Sequence, residues 1–241
     1  MLEARTVDEV WALHIDKMAE YGFDRLLYAY TRISAGGKLG DAANALMLSN
    51  HPKEYLDRFI GDELYRDAPM VRWTNENHGV CNWRCLDDMQ KTGTLTEAER
   101  RVLAFNRAHG VVAGCSISFR DLAVRVRGGI GLVARPGMTN ADVDTIWTEH
   151  GDEILTLNRV VHLKIISLPH PQALTALTAR QREALEWVAE GKTTQDIAIL
   201  MGVSMATVEK HLRLAREALA VESTAQAIAK ASMMNQIFVL D

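Results

Sequence analysis

At 241 residues the chain has room for two modest domains, each with a core of its own. It is 48% apolar and 24% charged with a formal net charge of -4, an ordinary globular balance that excludes a blanket polyanion binder. No run approaches the roughly 18 apolar residues of a membrane-crossing helix, and Met1 to Arg5 lacks the apolar start of a secretory signal, so a cytoplasmic protein is expected.

Thr6-Val7-Asp8-Glu9 is a capping box that opens a helix to about Tyr21, closed by Gly22. Phe23 to Ser34 then reads as a strand, with Tyr28 and Tyr30 on one face and Leu27 and Ala29 on the other. Gly36-Gly37 and Gly40 mark a loop, and Ala45 to Leu48 suits a second strand. Pro52 opens a helix bearing Tyr55, Phe59 and Ile60. Val80 to Trp83 is a short strand. Thr96 and Glu99 cap a helix that runs to about His109 and stops at Gly110. Val111 to Phe119 and Gly129 to Ala134 are strand-like, joined by a hairpin whose Arg120, Arg125 and Arg127 form a solvated group or a basic partner surface. Thr139 starts a long helix to about Ile166.

Ser167-Leu168-Pro169-His170-Pro171 is the clearest linker, because two prolines deny continuation of a helix. The division expected is a first domain over residues 1–166, a linker over 167–176 and a second domain over 177–241. Helices on both sides of a central, mainly antiparallel sheet make the first domain an α-β-α sandwich. The second is all helical, so the class is α+β.

The second domain reads as a helix-turn-helix. Thr178 and Gln181 cap one helix, which Gly191 ends; Thr193 or Thr194 caps the next, which buries Ile197, Ala198 and Met201. Gly202-Val203 makes the turn, and Ser204 caps a long last helix whose Val208, Leu212, Ala215 and Leu219 share one face. Glu209, Lys210, Arg213 and Glu217 point the other way. A helix of this width fits the major groove of B-form DNA with its first turns at the base edges. Seven basic residues (Arg180, Arg182, Lys192, Lys210, Arg213, Arg216 and Lys230) face eight acidic ones here, so affinity relies on local placement of charge and on dimerisation.

This pattern resembles the DNA-binding domain of LuxR-type transcription regulators. The residues that carry it are Leu177-Thr178, Arg180, Leu185, Ala189-Glu190-Gly191-Lys192-Thr193, Ile197-Ala198, Val203-Ser204, Thr207-Val208, His211, Leu219 and Gln226-Ala227. Gln181, Leu214 and Thr224 depart from the family's usual Glu, Asn and Arg. The resemblance implies DNA contacts from Lys192, Thr193, Thr194, Thr207, Lys210, His211 and Arg213. It also implies a homodimer on a twofold-related promoter site, with RNA polymerase as a candidate further partner.

A ladder of His51-Pro52, Tyr55, Phe59, Ala68-Pro69, Trp83 and Gly114 runs through the first domain. Through this spacing and these few residues the domain resembles the acyl-homoserine-lactone-binding domain of the same family. In the family the first rung is a Tyr that donates to the acyl carbonyl, the residue at the Ala68 position is an Asp that accepts from the ligand amide, and the Trp donates to the lactone carbonyl. Trp83 keeps its donor. Ala68 offers no side-chain acceptor, and His51 is shorter than Tyr. An unsatisfied buried amide costs about 1–3 kcal/mol, so a plain acyl-homoserine lactone should bind poorly unless Ser116 or Ser118 accepts from it. The candidate ligand residues are Tyr28, His51, Tyr55, Phe59, Ala68, Trp83 and Ser116. The expected ligand is an acyl-homoserine lactone or a related non-standard small signal.

Other classes fare worse. Cys115, His51 and Asp67 form a conceivable nucleophile triad, but no local motif supports catalysis. His78, Cys81 and Cys85 form a conceivable zinc site, although three cysteines at these spacings suit buried thiols better. No phosphate-binding loop is present and no cofactor is expected. The alternative retained is a ligand-independent DNA-binding regulator whose first domain only dimerises or binds a partner.

Overall fold

A computed structural model describes residues 2–31, 45–119, 127–168 and 177–238. Its contacts divide the chain into two compact units, one dominated by Asp8–Lys164 and the other by Ile165–Asp241. The glycine loop at 36–40, Arg120 and Arg125 of the hairpin, and most of the linker lie outside the described residues.

Among the described residues the first unit holds five strands, β1 (Phe23–Thr31), β2 (Ala45–Ser49), β3 (Gly79–Asn82), β4 (Gly114–Phe119) and β5 (Arg127–Ala134). They form one antiparallel sheet in the order β2-β1-β5-β4-β3. One face packs on α1 (Val7–Glu20) and the long α6 (Asn140–Ser167). The other carries α2 (Lys53–Phe59), α3 (Pro69–Glu76), α4 (Arg84–Lys91) and α5 (Glu97–Ala108). This is the α-β-α sandwich expected.

Strand alternation sorts the sheet's side chains. Leu26, Tyr28 and Tyr30 of β1 are buried on the α1/α6 side, where the Tyr28 hydroxyl meets His162 Nδ1 at 2.9 Å and its ring packs near Trp11 and Phe119. Leu27 and Ala29 face the opposite way. Register then aligns Leu27 with Gly131, Gly131 with Ser116, and Ser116 with Cys81, one row across four strands on the α2–α5 face.

Three elements escaped the sequence patterns: a 3-10 turn at Leu64–Asp67, α3 and α4. The last two are single runs of 8 residues, too short to display a repeating apolar stripe. By contrast α5 begins where its box predicts, with Thr96 accepting from the Glu99 amide and the Glu99 carboxylate accepting from the Thr96 amide.

In the second unit α7 (Ala179–Ala189), α8 (Thr194–Met201), α9 (Met205–Ala218) and α10 (Thr224–Met233) enclose one core of Leu185, Ile197, Val208, Leu212 and Leu219 among others. Thr178, Thr193 and Ser223 each head a complete capping box, and Ser204 accepts from the Thr207 amide at 3.2 Å. Between Thr193 and Thr194, the cap is Thr193. Gly202 adopts φ +66 to turn the chain from α8 into α9, a left-handed conformation that glycine reaches without the steric cost a side chain brings.

Candidate functional site

Between the sheet and helices α2, α3 and α5 lies a cavity of about 180 Å³. Its floor is Leu27, Ala29, Ser116, Gly129, Gly131 and Val133, and its walls include Tyr55, Phe59, Met70, Trp83, Leu86 and Val111. The lining is mostly apolar with a few polar groups, the composition of a small-molecule site. Glycines make the floor. A methyl group on Gly129 would sit 2.4 Å from Thr74 Cγ2, whereas one on Gly131 would make an ordinary van der Waals contact, 3.7 Å from Trp83 Cζ2.

Gly114 fixes that ring. Its amide carbonyl accepts from the Trp83 backbone N–H at 2.9 Å, and a Cβ there would lie 2.9 Å from Trp83 Cζ3 and 2.2 Å from the Leu132 carbonyl oxygen. Only a residue without a side chain lets the indole lie so close to β4. The ring's Nε1 then donates to Ser116 Oγ at 3.0 Å.

His51, Tyr55, Phe59 and Phe105 form an aromatic stack at one end. His51 and Tyr55 rings lie 4.5 Å apart at 21°, and Tyr55 meets Phe59 at 5.2 Å and Phe105 at 5.3 Å. Tyr55 donates its hydroxyl hydrogen to Asn106 Oδ1 at 3.0 Å. Burial, and secondarily the Arg25 charge, push His51 down to about 4, so near neutral pH the imidazole is uncharged. Its Nδ1 is buried with no hydrogen-bond partner among the described residues.

Of the residues singled out in the sequence, His51, Tyr55, Phe59, Ala68, Trp83 and Ser116 line this one cavity. Tyr28 does not, and its assignment to the ligand pocket is corrected. It is an even-numbered residue of β1, so the strand's twofold period turns it to the α1/α6 side, where His162 holds its hydroxyl. Asp67 is exposed on the 3-10 turn and does not stand in for the acceptor missing at buried Ala68. Ser118 is occupied, donating to the Thr74 carbonyl at 2.8 Å. Ser116 accepts from Trp83, which leaves its own hydroxyl hydrogen to donate.

Sequence reasoning missed Leu27, Ala29, Thr74, Asp87, Asn106 and Arg107, which also line the cavity. The alternation in β1 could have found the first two. Thr74 donates to the Met70 carbonyl, Asp87 accepts from Asn140 at 3.0 Å, and Arg107 donates to Gln90. Cys115, His51 and Asp67 are not brought together: Cys115 is fully buried on the other sheet face, and burial pushes its thiol up. Among the described residues no three metal-ligating side chains cluster.

On the second unit the polar side of α9 presents Lys210 and Arg213 exposed, with Thr207 and His211 half-buried. Arg213 Nη1 holds Glu217 Oε1 at 2.6 Å, an exposed i,i+4 pair. At the α8 N-terminus Lys192 is exposed, Thr194 is half-buried, and Thr193 spends its hydroxyl on the cap, bonding the Asp196 carboxylate at 2.6 Å. Those hydrogen bonds from Thr193 hold the Asp196 carboxyl below the usual carboxylate range.

Comparison with known proteins accords with both units. Residues 6–165 match the family described as autoinducer binding domain, and residues 175–231 match bacterial regulatory proteins of the luxR family. The transcriptional activator protein BjaR1 of Bradyrhizobium diazoefficiens is 31% identical over 191 residues, covering 78% of this chain and 74% of that one. The transcriptional activator protein LuxR of Aliivibrio fischeri is 24% identical over 194 residues, covering 79% and 74%. Escherichia coli SdiA superposes with a TM-score of 0.51 at 15% identity, covering 98% of this chain and 94% of that one. A structure of SdiA in complex with octanoyl-rac-glycerol gives 0.51 at 14% identity, covering 96% and 90%.

Proposed function

The chain belongs to the LuxR family of bacterial transcription regulators, with an autoinducer-binding domain and a luxR-type helix-turn-helix and no enzymatic role, and from that premise we propose which signal it reads. The ligand is an acyl compound with a carbonyl and no amide N–H in need of an anionic acceptor. It fills the cavity of the first unit and shifts the population of the state in which the second unit binds DNA.

One observation carries this reading. The donor the cavity offers is the Ser116 hydroxyl, whose oxygen already accepts from Trp83 Nε1–H, while position 68 is a buried alanine and the Asn106 and Asp87 oxygens that line the cavity each already accept a hydrogen bond. A carbonyl or ester oxygen satisfies that donor, whereas an amide N–H meets no carboxylate at position 68 and must compete for oxygens already engaged or turn to the neutral His51 imidazole. The SdiA complex holds an acylglycerol, an ester of this kind, which supplies a probe rather than an argument.

Calorimetric titration of the purified chain with 1-octanoylglycerol and N-octanoyl homoserine lactone tests it. The ester should bind at least about tenfold more tightly, as one unsatisfied amide donor implies. Tighter binding of the lactone would overturn the assignment.

A second reading has its own observation. A cavity of about 180 Å³ is smaller than the roughly 300–1,000 Å³ of most small-molecule sites, which favours a regulator that folds and binds DNA without a ligand. A gel shift with ligand-stripped protein separates the two, since unchanged DNA affinity on adding either probe supports the second.

For DNA, Lys210, His211, Arg213 and Thr207 on α9 are assigned to base edges and adjacent phosphates, and Lys192, Thr193 and Thr194 to the backbone. A twofold-related site bound by a homodimer supplies the affinity that a near-neutral domain lacks alone.

A further inference from the structure

Cys81 and Cys85 have no role in the function above. Cys81 ends its thiol on the α2–α5 face of β3, in the row of Ser116 and Gly131. Cys85 stands in the first turn of α4. The intervening turn brings the two sulfurs to 3.3 Å, and both residues are free thiols at half-buried positions, open to a small reagent. Cys115, one strand over, is on the opposite face and fully buried, so it is excluded from the pair.

We propose that Cys81 and Cys85 are a peroxide-reactive dithiol that closes to an intramolecular disulfide. The thiol contact and the α4 N-terminal amides favour the thiolate at Cys85 and hold the proton on Cys81. Cys85 is therefore the nucleophile. Its thiolate attacks one oxygen of a hydroperoxide, an S–O bond forms, the O–O bond breaks, and the departing oxide takes a proton. Cys81 then loses its proton and attacks the Cys85 sulfur. The S–S bond forms and the S–O bond breaks, releasing water. Two electrons from the dithiol reduce one peroxide, and a dithiol reductant reverses the change.

No third metal-ligating side chain stands with the pair among the described residues, which favours this two-electron chemistry over metal capture. The disulfide encloses Asn82, Trp83 and Arg84 in its ring. Closing 3.3 Å to a bond of about 2.05 Å ties β3 covalently to the helix whose Leu86 and Asp87 line the cavity.

The full chain, reduced and then exposed to a slight excess of hydrogen peroxide, tests this by mass spectrometry. Trypsin cuts after Arg72, Arg84 and Lys91, so residues 73–84 and 85–91 stay joined only if Cys81 and Cys85 are linked. The expected result is loss of two hydrogens, one linked peptide pair within one chain, and release by dithiothreitol. Cys115→Ser should behave as wild type. Cys81→Ser should accumulate a dimedone-reactive sulfenic acid at Cys85, and Cys85→Ser should react at least about tenfold more slowly. Independent addition of oxygen to each cysteine without a link, a link only between two chains, or undiminished reactivity of Cys85→Ser would overturn the proposal.

Discussion

Trp83 and Ser116 are coupled across the edge of the sheet: the indole Nε1 donates to the serine hydroxyl at 3.0 Å, and both are buried. The pair holds the ring over the cavity and leaves one hydroxyl hydrogen for a ligand. Ser116→Ala strands a buried indole donor and should cost about 1–3 kcal/mol of stability in urea denaturation. Trp83→Phe together with Ser116→Ala removes both partners and should cost less than the sum of the two single changes. Additive losses would show that the two groups are not coupled.

Ala68→Asp restores a carboxylate at a position only 6% exposed. Without ligand that charge is buried and unpaired, so the variant should melt below wild type. An acyl-homoserine lactone brings the missing amide donor. Its binding should improve roughly ten- to a hundredfold over wild type, and its addition should recover the lost melting temperature. Trp83→Phe should weaken the response to 1-octanoylglycerol, because the Ser116 hydroxyl that faces the ligand loses the indole that orients it. A panel of acyl chain lengths in thermal shift and calorimetry checks both.

The fold was legible wherever local chemistry and fold agree. The boxes at Thr96 and Thr178 place helix starts to within a residue, and the cap expected at Thr193 or Thr194 places a third, since each satisfies backbone donors at a helix start. The pocket was legible through spacing in its aromatic rungs. What spacing could not show was direction. Tyr28 looks like a pocket aromatic in sequence, yet the side of β1 that meets the cavity is fixed by tertiary packing. Nor could sequence show that Trp83 already has a partner, because Ser116 lies 33 residues away and arrives through the pairing of β3 with β4. The thiol pair was visible as two cysteines four apart, but its closeness depends on a strand-to-helix turn that no pattern marked.

Acid should destabilise the first unit before its carboxylates titrate. Burial pushes His14 and His51 down to about 4 from 6.5, His14 against a hydrogen bond to Asn158 that favours its charge, and His51 with help from Arg25. The folded state therefore binds fewer protons than the unfolded one. The associated stability is complete above about pH 6.5 and is lost as pH falls toward 4, with a slope of up to roughly 1.4 kcal/mol per pH unit per histidine. Urea midpoints at pH 7.5 and 5.5 should show the drop. His51→Phe should remove about half of the slope; an unchanged slope in both His51→Phe and His14→Phe would refute it.

Assembly is expected to be dimeric. Ile228 and Met234 of the α10 region are only partly buried against the second unit's core, and α10 is one candidate contact, α6 the other. Light scattering should report two chains at micromolar concentration in the presence of a twofold-related site. A single chain both with and without DNA would exclude the twofold mode of binding.

Arg213 starts out occupied, and this sets the direction of a DNA experiment. Its guanidinium holds Glu217 at 2.6 Å on the exposed face of α9, so a base or phosphate must compete with a carboxylate one turn away. Exposed pairs are weak, about 0.2–1 kcal/mol, and the polyanion should win, but the carboxylate also repels the backbone it faces. Glu217→Gln should therefore raise DNA affinity a fewfold and steepen the salt dependence no further than one additional phosphate contact allows. Arg213→Ala should cost about 1–3 kcal/mol and relax preference at one base position if the contact is to a base edge. If it is to a phosphate, affinity should fall equally on all sequences and the salt slope should drop by about 1. Gel-shift titrations on specific and scrambled duplexes at two salt concentrations distinguish these outcomes. Unchanged affinity, preference and slope in Arg213→Ala would remove this residue from the interface and leave Lys210 as the charge on that face of α9 to test.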